Sequence, residues 1–187
     1  GRHWFSNPNA GVHACVSVWE NFALWHPTIF VPALFEKANL GLDTGPIVDA
    51  CWSYEYRELY NQKQTDVVLH ARDSNGEEIL LAVEAKFSPS DKLKTEVKVG
   101  LPDTDPAAYR DLPSFRDIEN RFAMYLVRES YVDKVISQVG KDKQYGIVSW
   151  KGMLELQAEL ARQHFAPRLA SLVEAVLHVQ QQRLNLP

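Results

Sequence analysis

Three features of the sequence predict an α/β fold. A two-armed apolar hairpin lies near the middle of the chain, and stretches with apolar residues at helical spacing flank it on both sides. A short apolar run, Tyr145 to Trp150, reads as one more strand set between helices. The 187 residues suit one domain, 1–187, with a sizeable core. The predicted architecture is a mixed four-stranded sheet flanked by helices, in the order helix, three strands, helix, strand (αβββαβ), with extra C-terminal helices.

Gly1 to Pro8 reads as irregular, and Asn9 is a candidate cap for a helix running to about Trp25. Val12, Cys15, Val16, Trp19, Phe22 and Ala23 recur at helical spacing and form one apolar face, with Glu20 on its flank. His26-Pro27 ends this helix. A second helix spans about Val31 to Leu40, with Val31, Leu34, Phe35 and Ala38 inward, Glu36 on the polar side and Gly41 as its C-cap. Ile47 to about Tyr60 reads as a long strand. In it Trp52, Tyr54 and Tyr56 alternate with Ser53, Glu55 and Arg57, giving an aromatic face suited to packing under a helix.

The hairpin follows. Its arms are Thr65 to Arg72 and Ile79 to Phe87, and Asn75-Gly76 in the link between them is a strong turn signal. At the end far from the turn, one arm carries Asp66 and the other Glu84-Ala85-Lys86. Strand side chains alternate, so Glu84 and Lys86 share a face and Ala85 takes the other. If Asp66 pairs with Glu84 or Lys86, all three polar groups converge, whereas a one-residue slip sends Asp66 to the opposite face. Two-residue and three-residue turns give opposite parities, so the turn leaves the register open. The chemistry favours convergence, because two carboxylates and an amine on a half-buried sheet must pair or hold a cation.

Phe87 to Pro113 contains four prolines and the alternating Lys92, Lys94 and Lys98, and is long for a connection in a compact domain. It is either a solvated excursion or a loop over the polar end of the hairpin whose lysines contact phosphates. Ser114 and Asp117 look like a capping box for a helix running to about Ser130, with Phe115, Ile118, Phe122, Tyr125 and Leu126 inward and Arg121 and Arg128 on one flank. Tyr131 to Val139 extends or follows that helix. Tyr145 to Trp150 is then the fourth strand, beside the hairpin. Lys151 to Gln163 is helical, and Pro167 interrupts before a last helix to about Arg183 with Leu169, Leu172, Val173, Val176 and Leu177 on its apolar face.

A net charge of −4 supplies no global basic field, which counts against a pure DNA-binding module. Cys15 and Cys51 are too few for a disulfide framework and read as buried free thiols in a reducing compartment, with a cytoplasmic location expected. No apolar run is long enough to span a membrane and no secretory signal is visible. His13-x-Cys15 and Cys51 match no structural zinc spacing.

Asp66, followed eighteen residues later by Glu84-x-Lys86 across a hairpin with helices on both sides, resembles the PD-(D/E)XK nuclease superfamily, the restriction-endonuclease-like fold. The Glu-x-Lys element matches, while Thr65 stands where a Pro is usually written. The resemblance covers roughly residues 10–150 and leaves the helices of 151–187 outside. Within the superfamily the chain looks most like small bacterial endonuclease-like proteins, with Glu84-Ala85-Lys86-Phe87 where those carry Glu-Val-Lys-Tyr-like residues.

This resemblance implies a metal-dependent endonuclease that hydrolyses phosphodiester bonds in DNA, in a restriction, defence or repair setting, with Asp66, Glu84 and Lys86 catalytic. Mg²⁺ (or Mn²⁺) would take one oxygen each from Asp66 and Glu84 and a third from the Ala85 carbonyl, and Lys86 would face the attacking water. The superfamily's helix-borne acidic residue would be Glu20, which is otherwise an ordinary boundary glutamate. Arg121 would contact phosphate, or else form a structural salt bridge. Cutting both strands of a duplex would favour a homodimer. The alternative is a catalytically inactive nuclease-fold binding or assembly module, in which Asp66, Glu84 and Lys86 form a self-neutralising cluster; the acidic balance of the chain favours it.

Overall fold

The computed structural model describes residues 25–57, 64–85, 110, 112–139 and 144–183. The first described helix, α1 (Pro27–Lys37), starts with Pro at its first turn, where a missing N–H costs nothing, and His26 Nδ1 accepts from the Thr28 N–H at 3.4 Å. Phe30, Val31, Leu34 and Phe35 are its buried face. The helix ends at Ala38 rather than at Gly41, and Asn39 takes the left-handed conformation at φ 56°.

Three antiparallel strands follow: β1 (Ile47–Arg57), β2 (Gln64–Asp73) and β3 (Glu78–Ala85). The link between β2 and β3 is a three-residue turn. Asp73 N–H donates to the Glu77 carbonyl, the Gly76 N–H donates to the Asp73 carbonyl, and Gly76 sits at φ +85°. The Asp73 carboxylate organises the turn, accepting from the backbone N–H groups of Glu77 (2.8 Å), Gly45 (2.8 Å) and Asn75 (2.9 Å). It thereby ties the loop before β1 to the tip of the hairpin.

The segment read above as a helix over 114–130 is a strand. After a 3₁₀ turn at Pro113–Phe115, β4 (Asn120–Val127) runs parallel to β3, and β5 (Tyr145–Ser149) runs parallel to β4. Among the described residues the sheet therefore has five strands in the order β1-β2-β3-β4-β5, not four, and β4 separates the hairpin from β5. The cause is burial on both faces: six consecutive residues of β4, Phe122 to Val127, are buried. A central parallel strand reads as a continuous apolar run without alternation, and such a run also satisfies helical spacing.

One face of the sheet carries Val67, Leu69, Ile79, Leu81, Val83 and Met124 into a core shared with α1, α3 (Trp150–His164) and α4 (Pro167–Arg183). Phe35 of α1 meets Phe122 edge-on, with ring centroids 5.0 Å apart. Trp52 packs edge-on against Phe30 at 6.3 Å, so this aromatic residue serves sheet packing. Burying side chains of this size contributes about 1.5–3 kcal/mol each. On the second face, α2 (Val132–Val139) covers β4 and β5 through Val135, Tyr125 and Val127. Phe115 and Ile118 cover Val68 and Leu80. The β1 side of this face stays open: Asp49, Cys51 and Ser53 are exposed. Cys51 is a free thiol at the surface rather than a buried one. Among the described residues, no helix is long and apolar enough to cross a membrane.

Candidate functional site

The ladder of the hairpin pairs Val68 with Ala82 and Val67 with Val83. One step further along that register, Asp66 falls opposite Glu84, and Glu84 in turn pairs with Tyr125 of β4. Asp66, Glu84 and Tyr125 therefore form a row across three strands on the second face. The three-residue turn sets this parity; a two-residue turn would have placed Asp66 on the core face. On β1, Glu55 occupies the backbone position opposite Asp66, between the Tyr54–Val67 and Tyr56–Thr65 pairs.

Two side chains of β2 grip the end of β3. The Ala85 N–H donates to Asp66 Oδ2 at 2.7 Å, and the Thr65 hydroxyl donates to the Val83 carbonyl at 3.0 Å. Asp66 is half-buried at the mouth of the row, while Glu84 is only 5% exposed and Tyr125 1%. A buried carboxylate requires a partner or a cation. Extended backbone turns the N–H and C=O of one residue to the same neighbour, so the bond from the Ala85 N–H directs the Ala85 carbonyl toward the β2 side as well. Oxygen donors from two carboxylates and a backbone carbonyl are the chemistry that suits Mg²⁺ or Mn²⁺. A carboxylate held through one oxygen by a backbone N–H is the usual way a ligand is oriented. The donor set present thus fits a hard dication. Among the described residues, no three His, Cys, Asp or Glu side chains gather into a cage.

Arg121 stands apart from this row. It lies on β4, not on a helix, and pairs with Leu80, four residues before Glu84. Its Nη1 donates to the carbonyls of Phe115 (3.2 Å) and Arg116 (3.0 Å), so the guanidinium holds the 3₁₀ turn. His70 lies toward the hairpin turn, its Nε2 3.3 Å from Glu78 Oε1, also away from Asp66. Glu20, Lys86, Lys92 and Lys94 lie outside the described residues. Sequence reasoning passed over Thr65 and Tyr125. The sequence marks Thr65 as the start of a hairpin arm standing where a Pro is usual, and its helical spacing puts Tyr125 on a helix. A threonine directly before the aspartate on a strand is the available signal for the first, since a β-branched residue suits a strand and a buried hydroxyl needs a partner.

Comparison of the chain with protein-family models, with curated proteins and with solved structures finds no match.

Proposed function

We propose that the protein is a metal-dependent endonuclease acting on phosphodiester bonds in DNA, with its site on the second face at the open end of the β2–β3 hairpin. The observation that carries this reading is the pairing of Asp66 with the Glu84-Ala85 end of β3, held by the 2.7 Å bond from the Ala85 N–H. When bound there, Mg²⁺ or Mn²⁺ would acidify a water and neutralise charge developing on the phosphate. Asp66 and Glu84 contribute carboxylate oxygens and Ala85 its carbonyl. Lys86, next in sequence, supplies the cation that orients the attacking water and stabilises the phosphate's growing negative charge. On this face Asp49, Cys51 and Ser53 of β1 are exposed and Asp66 is half-buried, whereas α2 covers β4 and β5.

Supercoiled plasmid tests the reading. Nicking or linearisation is expected with Mg²⁺ or Mn²⁺, is abolished by EDTA, and falls by on the order of 100-fold or more in Lys86→Ala. Absence of cleavage, together with calorimetry showing no metal binding sensitive to Asp66→Asn or Glu84→Gln, would overturn it in favour of a structural cluster.

A further inference from the structure

Cys51 is an exposed free thiol on β1, and the ladder sets it directly opposite His70 of β2. Opposed residues of an antiparallel pair share a face, with Cβ atoms about 4.5–5.5 Å apart, so the imidazole lies within one side-chain rotation of the thiol. His70 is itself held on its other side. Its Nε2 is covered from solvent and lies 3.3 Å from Oε1 of Glu78, the first residue of β3. The approach is that of an ion pair rather than an aligned hydrogen bond. A carboxylate so placed favours the proton on Nε2 and leaves Nδ1 as the acceptor. Thiol, imidazole and carboxylate thus come from three adjacent strands, in the order nucleophile, base and orienting group. The neighbouring charges have partners of their own. Arg72 sits between Asp49 and Glu78 in the ladder and bridges Asp49 at 3.7 Å. Leu80 separates His70 from Arg121, whose guanidinium donates to the Phe115 and Arg116 carbonyls. Toward the other end of the strands the next pair on this face is Ser53 with Val68, which carries no charge.

We propose that Cys51 is a nucleophilic thiol that enters thiol–disulfide exchange with small disulfides, with His70 as its base and Glu78 orienting the ring. His70 Nδ1 accepts the thiol proton. The Cys51 sulfur attacks one sulfur of the disulfide, the new S–S bond forms as the old one breaks, and the departing thiolate takes the proton back from His70. The products are a mixed disulfide on β1 and one free thiol, with no other oxidant consumed. A disulfide suits this row because it needs only a thiolate and an open approach, and Cys51 is exposed. Acyl transfer would also require donors for an oxyanion. This chemistry does not depend on the nuclease reading, since His70 and Glu78 lie toward the hairpin turn, away from Asp66 and Glu84.

Oxidised glutathione is the probe, used on the full chain with Cys15→Ser, which leaves Cys51 as its one cysteine. Mass spectrometry follows the addition of one glutathionyl group over time. At pH 7, His70→Gln is expected to slow the second-order rate at least about tenfold, and Glu78→Gln to give an intermediate rate. Circular dichroism checks that the sheet is intact, and His70→Asn replaces His70→Gln if that variant loses it. The gap between the parent and the His70 variant is expected to close at about pH 10, where hydroxide removes the thiol proton in both. A purely structural effect of the substitution would slow the reaction equally at both pH values. No adduct on the parent, equal rates at pH 7, or a gap that persists at pH 10 would overturn the proposal. A Glu78→Gln rate equal to the parent's would overturn the role given to Glu78.

Discussion

Thr65 precedes the aspartate of the site, and its hydroxyl reaches the Val83 carbonyl at 3.0 Å from a fully buried position. Thr65 and Asp66 together hold the last residues of β3, one by donating and the other by accepting. Thr65→Val keeps the shape and removes the donor, and because the Val83 carbonyl also faces Val67 across the ladder, the cost should be that of one neutral hydrogen bond, about 0.5–1.5 kcal/mol. Urea titration would show this as a lower midpoint with an unchanged slope. Asp73 anchors the other end of the hairpin. Burial pushes its carboxyl up, but the N–H groups of Glu77, Gly45 and Asn75, with the Asn75 side chain, outweigh that and bring it below its ordinary 3.8. A carboxyl lowered by folding adds stability above its unfolded value and loses it as pH falls through the folded one. Asp73→Asn should therefore lower the thermal midpoint at neutral pH, and the gap to the parent protein should narrow as pH drops below 3.8. A gap independent of pH would remove the charge from the explanation.

At the scale of the element, β4 shows how a strand can carry helical spacing. Phe122 and Leu126 sit on the core face while Tyr125 and Val127 face α2, because the strand is buried on both sides. The Arg121 guanidinium is satisfied by two carbonyls of the turn that feeds this strand. Arg121→Met should therefore lower stability by about 1–3 kcal/mol, since hydrogen bonds to a charged group are lost. It should also leave the salt dependence of any DNA binding unchanged, whereas a phosphate contact would reduce the salt slope by about one. Binding measured across a salt series separates these two roles.

The whole molecule is organised by unequal covering of the sheet. One face is sealed by α1, α3 and α4 in a continuous core, and the other is sealed over β4 and β5 but open along β1. Asp66 lies on the second face, where covering gives way to solvent, so a buried Glu84 and an accessible Asp66 occur side by side. Closure of the first face depends on contact between β5 and the end of α1. A Cβ at Gly146 would lie 2.9 Å from both Ala38 Cβ and Leu40 Cγ, and the Ile147 N–H donates to the Ala38 carbonyl at 3.3 Å. Gly146→Ala should cost about 1–3 kcal/mol by overpacking. Because this contact belongs to the common core, circular dichroism and tryptophan fluorescence should report one coincident transition at the lower midpoint.

The sequence by itself determined the α/β class, the hairpin, the strand before it, the helices after residue 150, and the candidate pair Asp66 and Glu84. These rest on short-range signals: the Asn75-Gly76 turn, alternation over residues 52–57, and apolar residues at helical spacing bounded by Pro167. Only the tertiary structure decided that the turn has three residues, so that Asp66 meets Glu84 across the ladder. It also decided that 120–127 is a strand between the hairpin and β5, that Arg121 serves a turn, and that Cys51 is exposed. The physical reason is common to all four. Register, parallel pairing and exposure depend on what lies beside a residue in space, and a residue buried on both sides loses the periodicity by which sequence reveals structure.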